Sequence, residues 1–178
     1  MNTLTESAIK EAGLLDWFRT RSSEGVAGEG AKERLTKVDL LVLGAMADEL
    51  RRSEMGDEVR IFANVTAPSD SRTIEVAKAA TGLDFLREVA ITRLTSPKGT
   101  HVRIDWSKVG LEIAQVALGF GANELIGDIA NKRGLPIAED ETKKVKGQGM
   151  VDVRSLKKKE LATLLSYGGR TAVFQGEP

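Results

Sequence analysis

One predicted strand carries the side chains best suited to chemistry. Between Thr100 and Trp106 the residues alternate, so that His101, Arg103 and Asp105 project from one face and apolar side chains from the other. An imidazole, a guanidinium and a carboxylate together can bind a polar ligand, which makes these three side chains candidate ligand-binding residues. The alternative is that this face simply meets water in a half-open sheet.

Three carboxylates offer a second kind of chemistry. Asp105 lies at the end of the strand described above, whereas Glu124 and Asp128 flank a second predicted strand together with Asn123. General acid–base catalysis requires two such groups to converge in a pocket where their protonation is perturbed. Acid–base catalysis by two of these carboxylates is therefore one alternative that the sequence leaves open.

The residue types that are missing exclude several classes of site. The 178 residues contain no cysteine, so their side chains cannot hold an iron–sulfur cluster or perform thiol chemistry. A single histidine, His101, supports neither a Ser–His–Asp triad nor a metal site with a recognisable spacing. No cofactor and no metal are therefore expected, and no catalytic residue can be assigned from motifs alone.

Charge and hydropathy narrow the classes of partner. Lysine plus arginine and aspartate plus glutamate number 26 each, a balance that gives no basic footprint for nucleic acid. No run approaches the roughly 18 apolar residues that cross a bilayer, and the first residues lack the apolar core of a secretory signal. Together with the absence of cysteine, these features predict a cytoplasmic protein with neither a nucleic-acid nor a membrane partner.

The chain divides into four predicted segments. Residues 1–33 are predicted as a helix followed by a flexible linker, and residues 34–130 as an α/β core. Residues 131–149 are predicted as an exposed loop, and residues 150–178 as a strand–helix–strand unit packed on the core. The length suits one sizeable core with a small appendage.

The core segment is predicted to alternate between helices and strands. A helix that Asp39 is placed to cap precedes Val59–Val65, whose alternation is typical of a strand. A pair of helices is predicted from Pro68, with an interruption at Gly82. The polar strand, the helix predicted after it and a short strand at 123–126 then indicate a parallel βαβ unit.

Three segments of the chain resemble a known enzyme family. They are RLTKVDLLVLGAMADELRRSEMGDEVRIFAN (34–64), the stretch 84–128 that contains GLEIAQVALGFGANEL, and KELATLLSYGGRTAVFQ (159–175). In this order they are similar to the radical S-adenosylmethionine enzymes of menaquinone (futalosine) and deazaflavin biosynthesis, the group of aminofutalosine synthase, dehypoxanthine futalosine cyclase and FO synthase. The resemblance implies an α/β fold with a partial (β/α) barrel-like sheet, packed helices and a small C-terminal βαβ extension.

The same resemblance locates further candidate site residues. It implies that Asn123, Glu124 and Asp128, around the family's glycine turn, lie near a substrate pocket. Asn64, at the end of the first strand, is a ligand-binding candidate and is equally interpreted as a scaffold residue. In a barrel the carboxyl ends of the strands face the ligand, which favours Asp105.

The chain departs from the family where the family's redox chemistry begins. After Asn64 the family carries a Cys-x3-Cys-x2-Cys loop, whereas this chain reads VTAPSDSRT. Neither an iron–sulfur cluster nor S-adenosylmethionine binding is therefore expected. Because a complete barrel needs roughly 200 residues or more, we interpret the chain as a barrel that has lost its central strands. The first and last strands of a closed barrel are neighbours, so the remaining strands are predicted to share one sheet.

These observations favour a non-catalytic relative over an enzyme. We expect an accessory or small-molecule-binding protein whose ligand is nucleoside-like or a quinone precursor, or whose partner is a cysteine-containing homologue. A homodimer that closes the exposed sheet edges is the other expected assembly. The alternatives are a cluster-independent acid–base enzyme and a structural protein-interaction module.

Overall fold

The computed structural model describes residues 3–63, 66–129, 142–145, 149–152 and 157–176, and it has a mixed α/β fold. The helices are α1 (Thr3–Glu11), α2 (Leu15–Glu24), α3 (Ala31–Thr36), α4 (Leu40–Met55), α5 (Gly82–Thr95), α6 (Trp106–Val109), α7 (Leu111–Leu118) and α8 (Lys158–Tyr167). The strands are β1 (Glu58–Ala63), β2 (Thr73–Glu75), β3 (His101–Asp105), β4 (Glu124–Gly127), β5 (Thr142–Val145), β6 (Gly149–Asp152) and β7 (Thr171–Phe174).

Five of these strands form one parallel sheet in the order β2–β3–β4–β1–β7. The register places Arg60 of β1 beside Glu124 of β4, and Glu124 beside Arg103 of β3. Strands β5 and β6 pair antiparallel in a separate two-stranded sheet. The prediction that β1, β3 and β4 share one sheet is confirmed, and with it the α/β fold class.

One face of the large sheet is apolar and is covered by helices. Alternate residues of β1, β3 and β4 are buried against side chains of α5, α7 and α8; the strand residues are Val59, Ile61, Ala63, Val102, Ile104 and Leu125. A second hydrophobic core lies behind this layer and contains side chains from the first five helices, α1, α2, α3, α4 and α5. Because side chains alternate along a strand, the residues between these apolar positions project from the opposite face of the sheet.

Local sequence signals explain where the helices begin and end. Asp39 caps α4, since its Oδ1 accepts hydrogen bonds from the backbone N–H groups of Leu41 (2.9 Å) and Val42 (3.3 Å), as predicted. Thr81 caps α5 through a hydrogen bond from the Asp84 N–H. The single helix predicted after β3 is two short helices, because Gly110 between α6 and α7 has a φ of 88°.

The predicted helix after Pro68 is wrong. Thr73–Glu75 forms strand β2 instead and pairs in parallel with β3 at the edge of the sheet. The Arg72 carbonyl accepts from the His101 N–H (2.7 Å) and the Arg103 carbonyl from the Val76 N–H (3.1 Å), so this segment satisfies the exposed edge of β3. Backbone pairing with β3 therefore stabilises Thr73–Glu75 as a strand, because this segment has no helical periodicity of its own.

The carboxyl-terminal strands pair differently from the predicted strand–helix–strand unit. β6 pairs with β5, which lies inside the segment predicted as a loop, whereas β7 extends the large sheet beside β1. Ala172 and Phe174 of β7 pack against the first hydrophobic core, which explains why this strand joins the large sheet. The rest of the predicted loop, at 131–141 and 146–148, lies outside the described residues.

Candidate functional site

Three neighbouring strands place a row of charged side chains on the face opposite the helices. Arg60, Glu124 and Arg103, which we call the face row, come from β1, β4 and β3 and stand side by side in the strand register. Glu124 is fully buried, at 0% exposure. A buried carboxylate is costly unless cations and hydrogen bonds compensate it, so the two arginines are required for this arrangement.

The two arginines contact different oxygens of the Glu124 carboxylate. Arg103 donates from its Nε to Oε1 in a short charge-assisted hydrogen bond. Arg60 places its Nη1 3.3 Å from Oε2, but no hydrogen bond with suitable geometry reaches this buried oxygen. Oε2 is therefore an acceptor with Coulomb attraction on one side and no aligned donor.

An aromatic ring completes the face row. The guanidinium carbons of Arg60 and Arg103 lie 5.4 Å and 5.5 Å from the centre of the Phe62 ring, within the range of cation–π attraction. Arg103 also donates from its Nη2 to the Pro68 carbonyl (3.1 Å), which fixes the loop that precedes β2. The side chain of Arg60 is 26% exposed against 9% for Arg103, so the row is reached by solvent on the β1 side.

His101 is joined to the sheet through Asn123. The Asn123 Oδ1 accepts from the Val102 N–H (3.0 Å) and from Arg93 Nη2 (2.6 Å), which fixes the orientation of the amide. Its Nδ2 lies 2.8 Å from His101 Nδ1 and donates to it, so the imidazole is held as an acceptor at Nδ1. Burial lowers the pKa of His101 below its ordinary value, and the neighbouring Arg60 lowers it further.

Behind this pair lies a second group of buried charges. Arg21, Glu54 and Arg93, here called the Arg93 cluster, join α2, α4 and α5 near the amino ends of the strands. Arg93 donates to the Gly121 carbonyl (2.8 Å) and to the Thr100 carbonyl (2.6 Å), in addition to Asn123. Burial lowers the pKa of Arg93 to about 10, although Glu54 opposes that shift.

The remaining predicted site residues do not join the face row. Asp105 caps α6 by accepting from the Ser107 N–H (3.0 Å), and it pairs with Lys108 (3.0 Å). Although partial burial opposes the shift, hydrogen bonds from Ser107 and Lys108 lower the pKa of Asp105 below its ordinary value. Asp128 is exposed, and its backbone carbonyl accepts from Trp106 Nε1 (3.1 Å). Asn64 lies outside the described residues.

The described contacts give the three candidate carboxylates separate partners. Glu124 is paired with arginines, Asp105 with a helix terminus and Lys108, and Asp128 with solvent. Acid–base catalysis by two converging carboxylates therefore gains no support from this part of the chain. Within the same described ranges, no group of three or more histidine, aspartate and glutamate side chains is arranged to hold a metal ion.

Two members of this site do not follow from the sequence. Arg60 and Phe62 lie in the predicted strand at 59–65, on the face opposite Val59 and Ile61, where the sequence indicates only alternation. One sequence signal could have indicated them. A basic residue on the polar face of one strand can pair with a polar residue directly opposite it on an adjacent strand. Finding it requires the strand order, which sequence patterns do not provide.

Comparison with known proteins finds a partial match to an enzyme. A region of 103 residues, 58% of this chain, is 29% identical to aminodeoxyfutalosine synthase of Thermus thermophilus. The match spans 25% of that relative's length and supports a distant relationship to the radical S-adenosylmethionine enzymes of the futalosine group. No protein-family model matches the chain. Among the helices that the structure describes, none is both long and apolar enough to cross a bilayer.

Proposed function

We propose that this chain is a non-catalytic relative of the futalosine-group radical enzymes that binds a nucleoside-like small molecule at the face row. The observation that carries the proposal is the buried Glu124 carboxylate, held between two arginines with one oxygen that lacks an aligned donor. Such an oxygen favours a ligand that supplies an N–H or O–H group.

The position of the face row in the sheet supports a ligand site. In a (β/α) barrel the helices pack on the outside of the strands, and the opposite face of each strand lines the barrel interior. Here α5, α7 and α8 cover the Val59 face, so Arg60, Glu124 and Arg103 occupy the side equivalent to a barrel interior. The partly exposed Arg60 gives the ligand a route to the buried carboxylate.

The chemistry of the face row suits a nucleoside. The sugar hydroxyls and the exocyclic amino group of a purine are donors for Glu124 Oε2. The base is planar, and it can stack on the guanidinium groups that already lie over Phe62. No cysteine is present to hold a cluster, so the proposed role is binding without radical chemistry.

Thermal unfolding in the presence of adenosine and futalosine-type nucleosides tests this proposal. A ligand present at about a hundredfold excess over its Kd should raise Tm by roughly 5–10 °C, since only the folded state binds it. Glu124→Gln should abolish most of this shift by removing the charge on the acceptor. Arg19→Gln, which changes an exposed arginine outside the face row, is the control and should keep the full shift.

Two results would overturn the proposal. In the first, none of the nucleosides raises the Tm of the wild-type protein or of the Arg19→Gln control, and native mass spectra contain no retained small molecule. The second is a stoichiometric iron–sulfur cluster, formed on anaerobic addition of iron and sulfide, that cleaves S-adenosylmethionine. The second result would contradict the non-catalytic assignment even if a nucleoside bound.

The open edges of the sheet support a second candidate function in protein assembly. β2 pairs only with β3 and β7 only with β1 among the described strands, so each presents one unpaired backbone edge. A second copy of the chain or a cysteine-containing homologue could pair with either edge.

Light scattering of the wild type and of Ala172→Pro distinguishes this role. The N–H groups of Thr171 and Gln175 donate to the carbonyls of Asp57 and Ile61, so the alternate N–H of Ala172 faces the open edge of β7. Proline removes that donor and should weaken association through this edge. A monomer at all concentrations, with and without the homologue, would contradict the assembly role.

A further inference from the structure

A cavity lies on the helix side of the molecule, away from the face row. It has a volume of about 470 Å³ and is bounded by α7, α8 and the turn that precedes β7. Its apolar lining includes Val116, Leu118, Leu164 and Leu165. The volume lies within the range of small-molecule sites, which are mostly apolar with a few polar groups that fix orientation.

Among the described residues that line this cavity, Arg170 is the cation. Its side chain is 9% exposed, and its Nη2 donates to Asp48 Oδ1 (2.6 Å) while its Nη1 lies 3.4 Å from Asp57 Oδ1. The Nε of Arg170 is buried and has no acceptor. Arg170 therefore brings one buried donor without a partner to the wall of the cavity.

Arg170 shares its carboxylate partners with two other arginines. The buried Arg51 and the half-exposed Arg52 lie against the same two carboxylates, Asp48 and Asp57, and Arg52 also lies 3.8 Å from Glu49. Burial lowers the pKa of Arg170, and the nearby Arg51 lowers it further, as expected for a cation that lacks full compensation. Glu112 also lines the cavity, but it is exposed, and water screens its charge.

We infer that the cavity between α7 and α8 is a second binding site, for a small carboxylate with an apolar body. The carboxylate would accept from Arg170 Nε, and the apolar body would contact Val116 and Leu164. This site lies across the sheet from Glu124 and shares no residue with the face row, so it does not depend on the proposed nucleoside site.

A pair of isosteric probes tests the inference in the intact protein. Calorimetric titration with 1-naphthoate and with its neutral amide, 1-naphthamide, should give affinities that differ by about tenfold, because a hydrogen bond to a charged group is worth that factor. Arg170→Gln should remove the preference for the carboxylate while the amide still binds. Because the comparison is made within one variant, it does not depend on the stability of that variant.

Blocking the cavity gives an independent arm of the test. Val116 is 47% exposed on α7, so Val116→Trp adds bulk at the opening without disturbing a buried position, and it should weaken both probes at least tenfold. Leu83→Trp, at an exposed position on α5, is the matched control and should leave both affinities unchanged. Glu124→Gln should also leave them unchanged, so failure here is distinct from failure of the nucleoside site. Equal affinities for the two probes in the wild type, or unaltered binding in Val116→Trp, would overturn the inference.

Discussion

The Arg93 cluster and the face row use the same residue types in two different ways. In the Arg93 cluster, the arginine nitrogens donate mainly to backbone carbonyls: Arg21 to Leu94 and Ser96, and Arg93 to Thr100 and Gly121. In the face row, Arg103 donates one hydrogen bond to the Glu124 side chain and one to the Pro68 carbonyl, and Arg60 forms an ion pair with Glu124.

The difference separates a structural cluster from a candidate binding site. Carbonyl acceptors from several separate segments mean that Arg21 and Arg93 hold helix ends and strand beginnings together at the amino end of the sheet. Both clusters contain a buried glutamate oxygen without an aligned donor, Glu54 Oε2 and Glu124 Oε2. The arginines beside Glu54 are fully buried, whereas Arg60 beside Glu124 is partly exposed, so solvent reaches the face row through Arg60.

The largest expected effect comes from breaking the structural cluster. Arg93→Met removes three hydrogen bonds, to Gly121, Thr100 and Asn123, and leaves their acceptors buried. We expect a loss of about 3–5 kcal/mol in the free energy of unfolding. Urea denaturation measures it, with Arg19→Met as the control, because that exposed arginine should change stability by less than about 1 kcal/mol. Equal losses in the two variants would contradict a structural role for Arg93.

The next effect comes from the glycine that allows Arg93 to approach the turn before β4. Gly121 has a φ of 98°, and a Cβ at this position would lie 2.8 Å from Cβ and Cγ of Arg93. Gly121→Ala should therefore cost about 2–3 kcal/mol, from backbone strain and from displacement of Arg93.

Gly28 is the matched control for Gly121. Its φ is 73°, but no atom lies within 4 Å of the position that an alanine Cβ would occupy, so Gly28→Ala should show the backbone strain alone, at about 1 kcal/mol. The difference between the two urea midpoints isolates the close approach of Arg93 and of Ala47, whose Cβ would lie 3.1 Å from the added methyl group. No difference would show that the turn before β4 can move away from Arg93 freely.

The sequence is sufficient for elements whose signals are local. It predicts the Asp39 cap, the alternation of β1 and β3, and the βαβ pairing of β3 with β4, and all of these are present. In each case the deciding interaction lies within a few residues or between consecutive elements. The break at Gly110 does not follow from the sequence pattern, because apolar residues continue on both sides of it.

The sequence is insufficient where long-range pairing decides the structure. The segment that forms β2 is predicted as helix, and its strand conformation depends on hydrogen bonds with β3 about 28 residues away. The face row likewise needs β1 beside β4, a pairing across more than half of the core segment. Arg103 and Glu124 are each candidates from the sequence, but neither their ion pair nor the participation of Arg60 follows from local patterns.

A smaller effect should come from breaking the face row. Glu124→Gln leaves a carbonyl oxygen that can still accept from Arg103, and the exposed fraction of Arg60 lets water solvate its charge. We expect a loss of about 1–2 kcal/mol in urea denaturation without ligand, clearly less than for Arg93→Met. Arg60→Gln should behave similarly. A loss as large as that of Arg93→Met would remove the distinction between the two clusters and assign the face row to the scaffold.

The smallest effect concerns His101. Its imidazole contacts the Asn123 side chain, and Asn123 in turn accepts hydrogen bonds from Arg93 and from the backbone N–H of Arg60. Burial and Arg60 lower the pKa of the folded imidazole, so between that pKa and the unfolded value of about 6.5 the unfolded state binds more protons. Stability is therefore complete above about pH 6.5 and falls as the pH is lowered toward the folded pKa. Because His101 is the single histidine of the chain, one imidazole proton resonance reports its titration by NMR.

The NMR titration should give a midpoint below that of the urea-unfolded chain, and His101→Gln should flatten the decline in stability between about pH 7 and 5. Asn123→Ala removes the donor to Nδ1 and the acceptor of Arg93, so it tests whether the amide maintains the neutral imidazole. If the folded midpoint equals or exceeds the unfolded one, neither burial nor the positive charge of Arg60 lowers the pKa of His101. The face row would then present no excess positive charge to its neighbours, and a cationic ligand donor would no longer be disfavoured relative to a neutral one at Glu124.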